Sequence, residues 1–134
     1  MDRIFSRQLH DLEKVFRFIQ EAFIEYQLDQ SLIFWANFIV EELFTNMVKY
    51  NHTTNDVITI CVEKNQHSLI ISLIDYDVDS FDPRTTKDID ISKPAHERSV
   101  GGLGNFLVKK IVHTIDYEYV NRQSKITVTM LLEN

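Results

Sequence analysis

The sequence predicts an α+β domain of two layers, a two-layer α/β sandwich in which helices pack on one face of a mixed, mostly antiparallel sheet. Apolar residues recur at helical spacing in the N-terminal part of the chain. The rest of the chain contains paired runs of β-branched and aliphatic residues separated by polar turns. A length of 134 residues suits one domain with a real core, so we expect residues 1–134 to form a single unit.

Two helices are predicted before the first strand. Residues 9–26 read as an amphipathic helix, and Asp29 or Ser31 can cap a second helix over about residues 32–50. The apolar positions of the second helix are so dense that we expect it to be buried on more than one side. The apolar stripe predicted for the first helix consists of Leu9, Leu12, Val15, Phe16, Ile19 and Phe23.

Two hairpins are predicted in the rest of the chain. Residues 57–62 and 69–74 form the first, and residues 115–120 and 125–132 form the second around a polar turn at 121–124. Strands of this kind need helices on one face to bury their apolar side, which gives the two-layer arrangement.

Residues 75–99 form a long polar connection between the hairpins, and connections of this length are usually functional loops or lids. All three glycines of the chain follow in the run Gly101-Gly102-Leu103-Gly104, where a helix over about residues 102–113 begins. Glycine lets the backbone approach a ligand closely, and a helix N-terminus offers unpaired N–H groups. The run therefore predicts a phosphate site and a nucleotide ligand, although it has neither a Walker A ending nor a surrounding βαβ unit.

Glu42, Asn46, Lys49 and Tyr50 are spaced to share one face of the second helix. Carboxylate and amide oxygens suit Mg²⁺, a lysine suits phosphate, and a carboxylate near a hydroxyl can act as a general base. The alternative is a solvated polar stripe without a ligand.

Other candidates lie around the long connection. Asp75 ends a strand, where it can accept a hydrogen bond from the exocyclic amine of adenine or simply begin a turn. Phe81 can anchor the base of the connection to the core. Arg98 can reach a terminal phosphate or pair with a neighbouring acid such as Glu97.

The composition limits the class of partner and the compartment. The net charge is −6 without a basic stripe, so nucleic-acid binding is not expected. No apolar run approaches the length of a membrane span, so membrane contact is not expected either. Cys61 is the one cysteine, which excludes an internal disulfide and fits the cytoplasm. We expect its side chain to be a buried small hydrophobe.

Three motifs in order resemble those of the GHKL ATPase/kinase superfamily. Residues 41–50 (EELFTNMVKY) resemble its N box, and Ile74-Asp75 followed by Phe81-Asp82-Pro83 resembles its first glycine box. Residues 101–110 (GGLGNFLVKK) resemble its second. Within the superfamily the chain is most similar to the bacterial anti-sigma-factor serine/threonine protein kinases.

The resemblance implies a Bergerat-type sandwich that binds ATP with Mg²⁺. It implies that Glu42 is the catalytic base, that Asn46 is the Mg²⁺ ligand and that Asp75 takes the adenine amine. Residues 80–100 would be the ATP lid. The further nucleotide-binding positions are Lys49, Tyr50, Asp77, Phe81, Arg98, Gly101, Gly102, Leu103, Gly104 and Asn105.

The resemblance also implies partners. Kinases of this type are commonly homodimers that hold a sigma factor inactive and phosphorylate a serine of a STAS-type antagonist. One position departs from the family, because Asp77 stands where its first box has glycine. A second carboxylate there would repel ATP unless it faces solvent or meets a cation, and a shifted alignment would make Asp77 the adenine ligand. A degenerate module that binds a partner without catalysis is the alternative, and the catalytic part of a histidine kinase is a third hypothesis.

Overall fold

A computed structural model describes residues 1–50, 56–79 and 112–132 of the chain. These residues form two helices on one face of a five-stranded antiparallel sheet, which confirms the predicted α+β class. The strands lie in the order β1-β2-β3-β5-β4. The helices are α1 (Leu12–Glu25) and α2 (Ile33–Tyr50), and the strands are β1 (Asp2–Phe5), β2 (Ile58–Lys64), β3 (Ser68–Asp75), β4 (Thr114–Val120) and β5 (Gln123–Leu131).

The first helix forms as predicted, with a short 3₁₀ turn, Leu9–Asp11, ahead of α1. Its buried stripe is shifted from the expected one, since Phe18 is fully buried whereas Phe16 is half-buried and Leu9 is exposed. Leu9 lies in the 3₁₀ turn ahead of the regular helix, where three residues per turn do not continue the spacing of α1. The side chains that α1 buries are Val15, Phe18, Ile19, Ala22 and Phe23.

The second helix begins after a 3₁₀ turn, Gln30–Leu32, that Asp29 caps. The Asp29 carboxylate accepts the Ser31 N–H at 2.9 Å, which satisfies a backbone donor at the start of the turn. The expectation that α2 is buried on more than one side is wrong at its first turn. Phe34 and Trp35 are 63% and 40% exposed there and pack edge to face against each other.

The sheet buries one face against the helices. Every second residue of each strand faces the core, because successive side chains point to opposite faces of the sheet. Cys61 lies on the other face, between Ile60 and Val62, and is half-buried instead of fully buried as expected. The core residues of the central strands are Ile58, Ile60, Val62, Leu69, Ile71, Leu73, Ile126, Val128 and Met130.

Strand β1 is absent from the sequence-based prediction. It has four residues and pairs along the edge of β2, with Phe5 opposite Ile58. Only Phe5 of the four residues is buried, so the sequence of β1 is too short to show the alternation of apolar and polar residues that identifies a strand.

Among the described residues, no helix combines the length and the apolar character that crossing a membrane requires. The connection 80–99 and most of the helix expected over about 102–113 lie outside the described residues. Val112 and His113, its last two positions, are described, and they are not helical.

Asp11 connects the end of β1 to the start of α1. Its buried carboxylate accepts hydrogen bonds from the backbone N–H of Ser6 at 3.0 Å and from the Ser6 hydroxyl at 2.6 Å. These bonds fix the backbone just before Arg7, which is part of the candidate site described below.

The turn between β4 and β5 is tighter than the predicted 121–124. Asn121 and Arg122 alone connect the strands, and both have positive φ, 52° and 62°, as in the type I′ hairpins whose twist matches that of paired strands. Asp77, just after β3, also has a positive φ of 54°. The Arg122 guanidinium donates to the carboxylates of Asp77 at 2.9 Å and of Asp79 at 3.0 Å.

Two further hydrogen bonds hold the segment after β3 to β4 and to the β4–β5 turn. The Val78 N–H donates to the Arg122 carbonyl at 2.9 Å, and the Tyr119 hydroxyl donates to the Val78 carbonyl at 2.7 Å. Val78 itself is fully buried. The segment after β3 is therefore held against the β4–β5 turn, and we call Arg122 with Asp77 and Asp79 the Arg122 clamp.

Replacing Asp11 by alanine is expected to lower the free energy of unfolding by about 1–3 kcal/mol, because two hydrogen bonds from Ser6 to a charged, buried carboxylate are lost. The hydrogen bond from the Ser6 hydroxyl lowers the pKa of Asp11 below its usual 3.8. This contribution is therefore present above the usual pKa and is lost as the pH falls through the lowered one. Urea unfolding of wild type and Asp11→Ala over a pH series measures the effect, with the exposed Asp2→Ala as control. A difference that persists unchanged in strong acid would contradict it.

Asp77→Val is expected to be less stable than Asp77→Gly by about 1–2 kcal/mol, because a side chain branched at Cβ is strained at positive φ. Asp77→Asn is the matched control, since asparagine tolerates this backbone conformation but does not carry the charge. We expect it to resemble wild type in urea unfolding, because an exposed ion pair contributes little to stability. Equal stability of the valine and glycine variants would contradict the assignment of strain to this position.

Candidate functional site

The predicted polar face of α2 is present, and its three described side chains differ in burial. Glu42 is half-buried, Asn46 is only 5% exposed and Lys49 is exposed. Burial, with a smaller contribution from Glu41, raises the pKa of Glu42, and Lys49 acts in the opposite direction. A carboxyl whose pKa is moved toward neutrality is better suited to accept a proton during a reaction. The helix therefore presents a candidate base beside a buried amide.

Asp75 occupies the predicted position at the end of β3 and is fully buried. A guanidinium, that of Arg7, meets it on both carboxylate oxygens. Arg7 Nη2 forms an ion pair with Asp75 Oδ1, and Nη1 donates to Oδ2 at 3.4 Å. The side chain of Arg7 is itself only 6% exposed. Two opposite charges are thus removed from water together, the condition under which a buried ion can be tolerated.

Arg7 also connects Asp75 to the two elements beside it. Nη1 donates to the Met47 carbonyl of α2 at 3.0 Å, and Nε donates to the Asp56 carbonyl ahead of β2 at 3.2 Å. Burial lowers the pKa of Arg7, and the charge of Asp56 acts in the opposite direction. One guanidinium therefore holds the C-terminal half of α2 next to the end of β3. This brings the predicted base and Mg²⁺ ligand into the same region as the predicted adenine ligand.

The sequence does not identify Arg7 as a residue of the site. A single arginine after a four-residue strand forms no motif, and its partner Asp75 is 68 positions away along the chain. The sequence places Asp75 at the end of a strand but does not predict its burial, and nothing in the sequence specifies which of the chain's basic residues meets the carboxylate.

Asp77, at the position where the resembled motif has glycine, takes the positive φ that glycine would adopt without cost. Its carboxylate is exposed and binds Arg122 in the Arg122 clamp, so it meets a cation. Asp75 is the buried member of the pair and Asp77 the exposed one.

The remaining predicted positions are not described. Of Tyr50, the last residue of α2, only the backbone is described. The positions that lie outside the described residues are Phe81, Arg98, Gly101, Gly102, Leu103, Gly104 and Asn105.

The described donors fit one kind of metal ion. No cluster of three or more His, Cys, Asp or Glu side chains occurs among the residues that the structure covers, so it shows no all-protein metal cage there. Glu42 and Asn46 place a carboxylate and a buried amide on one helix face. This donor set suits Mg²⁺ that takes its other ligands from phosphate oxygens and water.

Comparison with known proteins identifies the family and supports the fold. The family model for the histidine kinase-like ATPase domain matches residues 5–131. No curated protein matches the chain. Among solved structures, the Acinetobacter baumannii histidine kinase AdeS is similar, with a TM-score of 0.54 and 17% sequence identity. The match covers 100% of this chain and 68% of that one, and at this identity it shows the fold.

The family match spans nearly the whole chain and includes Arg7, the polar face of α2 and Asp75, but only Phe5 of β1. The chain belongs to the histidine kinase-like ATPase domain family.

Proposed function

We propose that this protein is a serine/threonine protein kinase of the anti-sigma-factor type, which binds Mg-ATP, sequesters a sigma factor and phosphorylates a STAS-type antagonist. The observation that carries the proposal is the contact of Arg7 with both Met47 and Asp75. It places the half-buried Glu42 and the buried Asn46 on the helix that adjoins the candidate adenine ligand.

The residues divide the work of phosphoryl transfer. Asp75 accepts the adenine amine and so sets the position of the nucleotide. Asn46 and Lys49 face the phosphates, Asn46 as the ligand of Mg²⁺ and Lys49 as a cation. Mg²⁺, when bound, neutralises charge on the phosphate oxygens. Glu42 takes the proton from the serine hydroxyl as that oxygen attacks the γ-phosphorus and ADP leaves, a role that its raised pKa favours.

The proposed partners follow from the motifs together with charge. The N box and the two glycine boxes resemble those of anti-sigma-factor kinases, and such kinases work as homodimers on a sigma factor and a STAS-type antagonist. The net charge of −6 favours basic surfaces on those partners. Copurification with a candidate sigma factor, followed by its release when the antagonist is added, tests this part of the proposal.

Asp77 favours a second candidate, a partner-binding module that has lost nucleotide binding. Its carboxylate replaces the family's glycine, but Arg122 neutralises it, which removes the repulsion expected against phosphate. Calorimetry with Mg-ATP separates the two candidates. Binding stronger than roughly millimolar, about −4 kcal/mol, would exclude the degenerate module.

Glu42→Gln is expected to slow serine phosphorylation by roughly 10²–10⁴-fold with little change in Mg-ATP affinity, because the base is lost but the shape is kept. Phosphate transfer to the antagonist measures the rate, and calorimetry measures the affinity. The wild-type rate should rise with pH through the raised pKa of Glu42, since only the carboxylate accepts a proton.

Glu41→Gln is the matched control for this experiment. Glu41 is exposed, and its charge helps to raise the pKa of Glu42. The control should therefore keep the maximal rate and shift the pH profile toward lower pH. A full rate in Glu42→Gln, or an equal loss in both variants, would count against Glu42 as the base.

Asn46→Ala is expected to weaken binding of Mg-ATP by roughly tenfold or more, because a ligand and a charge-assisted contact are removed. Metal-free ATP should bind the variant and wild type nearly equally. Calorimetry with and without Mg²⁺ measures the difference, with the neighbouring Thr45→Ala as control. The hypothesis fails if Asn46→Ala weakens both forms of ATP to the same extent while the protein remains folded.

A further inference from the structure

We propose that the outer edge of β1 is a docking site for an extended acidic segment of a partner protein, which adds to the sheet as a further antiparallel strand. This interaction goes beyond the proposed kinase activity and does not depend on nucleotide binding. Three features of the edge carry the proposal: its unpaired backbone groups, a groove with an excess of cations beside it, and side chains that oppose pairing with a second copy.

Strand β1 presents unpaired backbone groups, because it is the terminal strand of the described sheet. The Val62 N–H donates to the Met1 carbonyl at 2.7 Å, so these two residues form a hydrogen-bonded pair. Such pairs alternate with non-hydrogen-bonded pairs along an antiparallel ladder. Asp2 and Ile4 therefore occupy the non-hydrogen-bonded positions of β1. Their N–H and C=O groups point away from β2, where another strand can pair with them.

The open edge is short and ends at a defined residue. The Ser6 N–H, which is the next outward-pointing donor, is held by the Asp11 carboxylate at 3.0 Å. The Ile4 side chain is 64% exposed, so an apolar residue of the added strand can cover it. The edge thus fits an extended segment of a few residues, with an apolar side chain opposite Ile4.

A groove of about 460 Å³ between β1 and α1 gives this edge its charge. Arg3, Lys14 and Arg17 line it with three cations, and Asp11 and Glu21 line it with two carboxylates. Arg3 pairs with Glu21 at 2.8 Å, and Lys14 pairs with Asp11 at 3.7 Å. Arg17 is exposed and has no acidic side chain within ion-pair distance among the described residues. On a protein with a net charge of −6, this groove is a local site for an acidic group.

The orientation of Arg3 determines where the acidic residue lies on the added strand. Its guanidinium lies over the Phe18 ring of α1, 4.9 Å from the ring centroid, so Arg3 points to the face of the sheet that carries the helices. Directly opposed residues of an antiparallel pair have neighbouring side chains on the same face. A carboxylate opposite Arg3 is therefore placed at the groove, on the side of Arg17. The apolar residue opposite Ile4 lies on the other face.

The side chains of β1 oppose pairing with β1 of a second copy. A two-fold axis would make the two strands antiparallel about one shared residue. A centre at Asp2 places two carboxylates opposite each other, a centre at Arg3 does the same with two guanidiniums, and like charges in opposed positions are destabilising. A centre at Ile4 needs the Ser6 N–H, which Asp11 already holds. The edge therefore fits a strand of different sequence better than its own.

The test measures binding of a short, capped, fluorescein-labelled peptide, in which valine and glutamate alternate, by fluorescence anisotropy. One comparison peptide has lysine in place of glutamate, and a second keeps the glutamates but has N-methylated backbone amides, which cannot donate to a sheet edge. The proteins are wild type, Ile4→Pro, Ile4→Val, Arg17→Gln and Lys64→Gln. Proline removes an outward N–H and is tolerated on such an edge, and valine keeps that N–H. Lys64, exposed at the end of β2, controls for the loss of one positive charge.

We expect wild type to bind the glutamate peptide and neither comparison peptide. Ile4→Pro should raise the Kd roughly tenfold, because a hydrogen bond is lost and the ring obstructs the edge, whereas Ile4→Val should change it little. Arg17→Gln should raise the Kd roughly threefold, as expected for an exposed ion pair, and Lys64→Gln should leave it nearly unchanged. Hydrogen exchange followed by NMR should show new protection of the Ile4 amide when the glutamate peptide is bound.

Four outcomes overturn the proposal. They are no saturable binding by wild type at roughly millimolar peptide, equal binding of the lysine peptide, equal binding of the N-methylated peptide, and self-association of wild type that Ile4→Pro abolishes in sedimentation. The last would identify a second copy as the occupant of the edge. If Ile4→Pro does not fold, the N-methylated peptide and Arg17→Gln decide in its place. Because all measurements are made without nucleotide, failure of the proposed kinase activity leaves this result unaffected.

Discussion

The buried ion pair between Arg7 and Asp75 joins parts of the chain that are far apart in sequence. Through it, the segment after β1 contacts the carbonyl of Met47 on α2, the residue ahead of β2 and the end of β3. Removing either partner alone from such a pair leaves a buried charge uncompensated, which typically costs about 3–5 kcal/mol. The helix that carries Glu42 and Asn46 is therefore held next to β3 by a contact that the fold cannot easily lose. The same contact orients the carboxylate that is proposed to accept the adenine amine.

The Arg122 clamp shows how this chain accommodates an aspartate where the motif that it resembles has glycine. Asp77 adopts a positive φ, which the short polar side chain of aspartate tolerates better than most. Its charge is paired with that of Arg122, a residue of the β4–β5 turn that also has a positive φ. Because the pair is exposed, it adds little to stability, and its effect is on the placement of charge. The Asp77 carboxylate, which would otherwise repel a phosphate, is thus paired with the Arg122 guanidinium.

The three polar side chains described on one face of α2 differ in burial in a way that suits phosphoryl transfer. Asn46 is buried, Glu42 is half-buried with a raised pKa, and Lys49 reaches solvent. A buried, rigid side chain such as Asn46 is well positioned to bind a metal ion. Partial desolvation makes a carboxylate such as Glu42 a better base, and a long exposed side chain such as Lys49 can extend to a phosphate. Membership in the histidine kinase-like ATPase domain family places this helix in an ATPase fold, and the choice of a serine on a partner protein is the finer step that the proposal takes.

The sequence by itself determined the elements and the order of the motifs. Helical and alternating periodicities located α1, α2 and both hairpins, because each is a local pattern that burial of one face requires. The tertiary structure decided the rest. It added β1, whose four residues are too few to show a pattern, and it left Phe34 and Trp35 exposed at the first turn of the apolar helix α2. It also paired Asp75 with Arg7 and Asp77 with Arg122. A charge pair between distant positions has no local pattern in a sequence, since only folding brings the two side chains within hydrogen-bond distance.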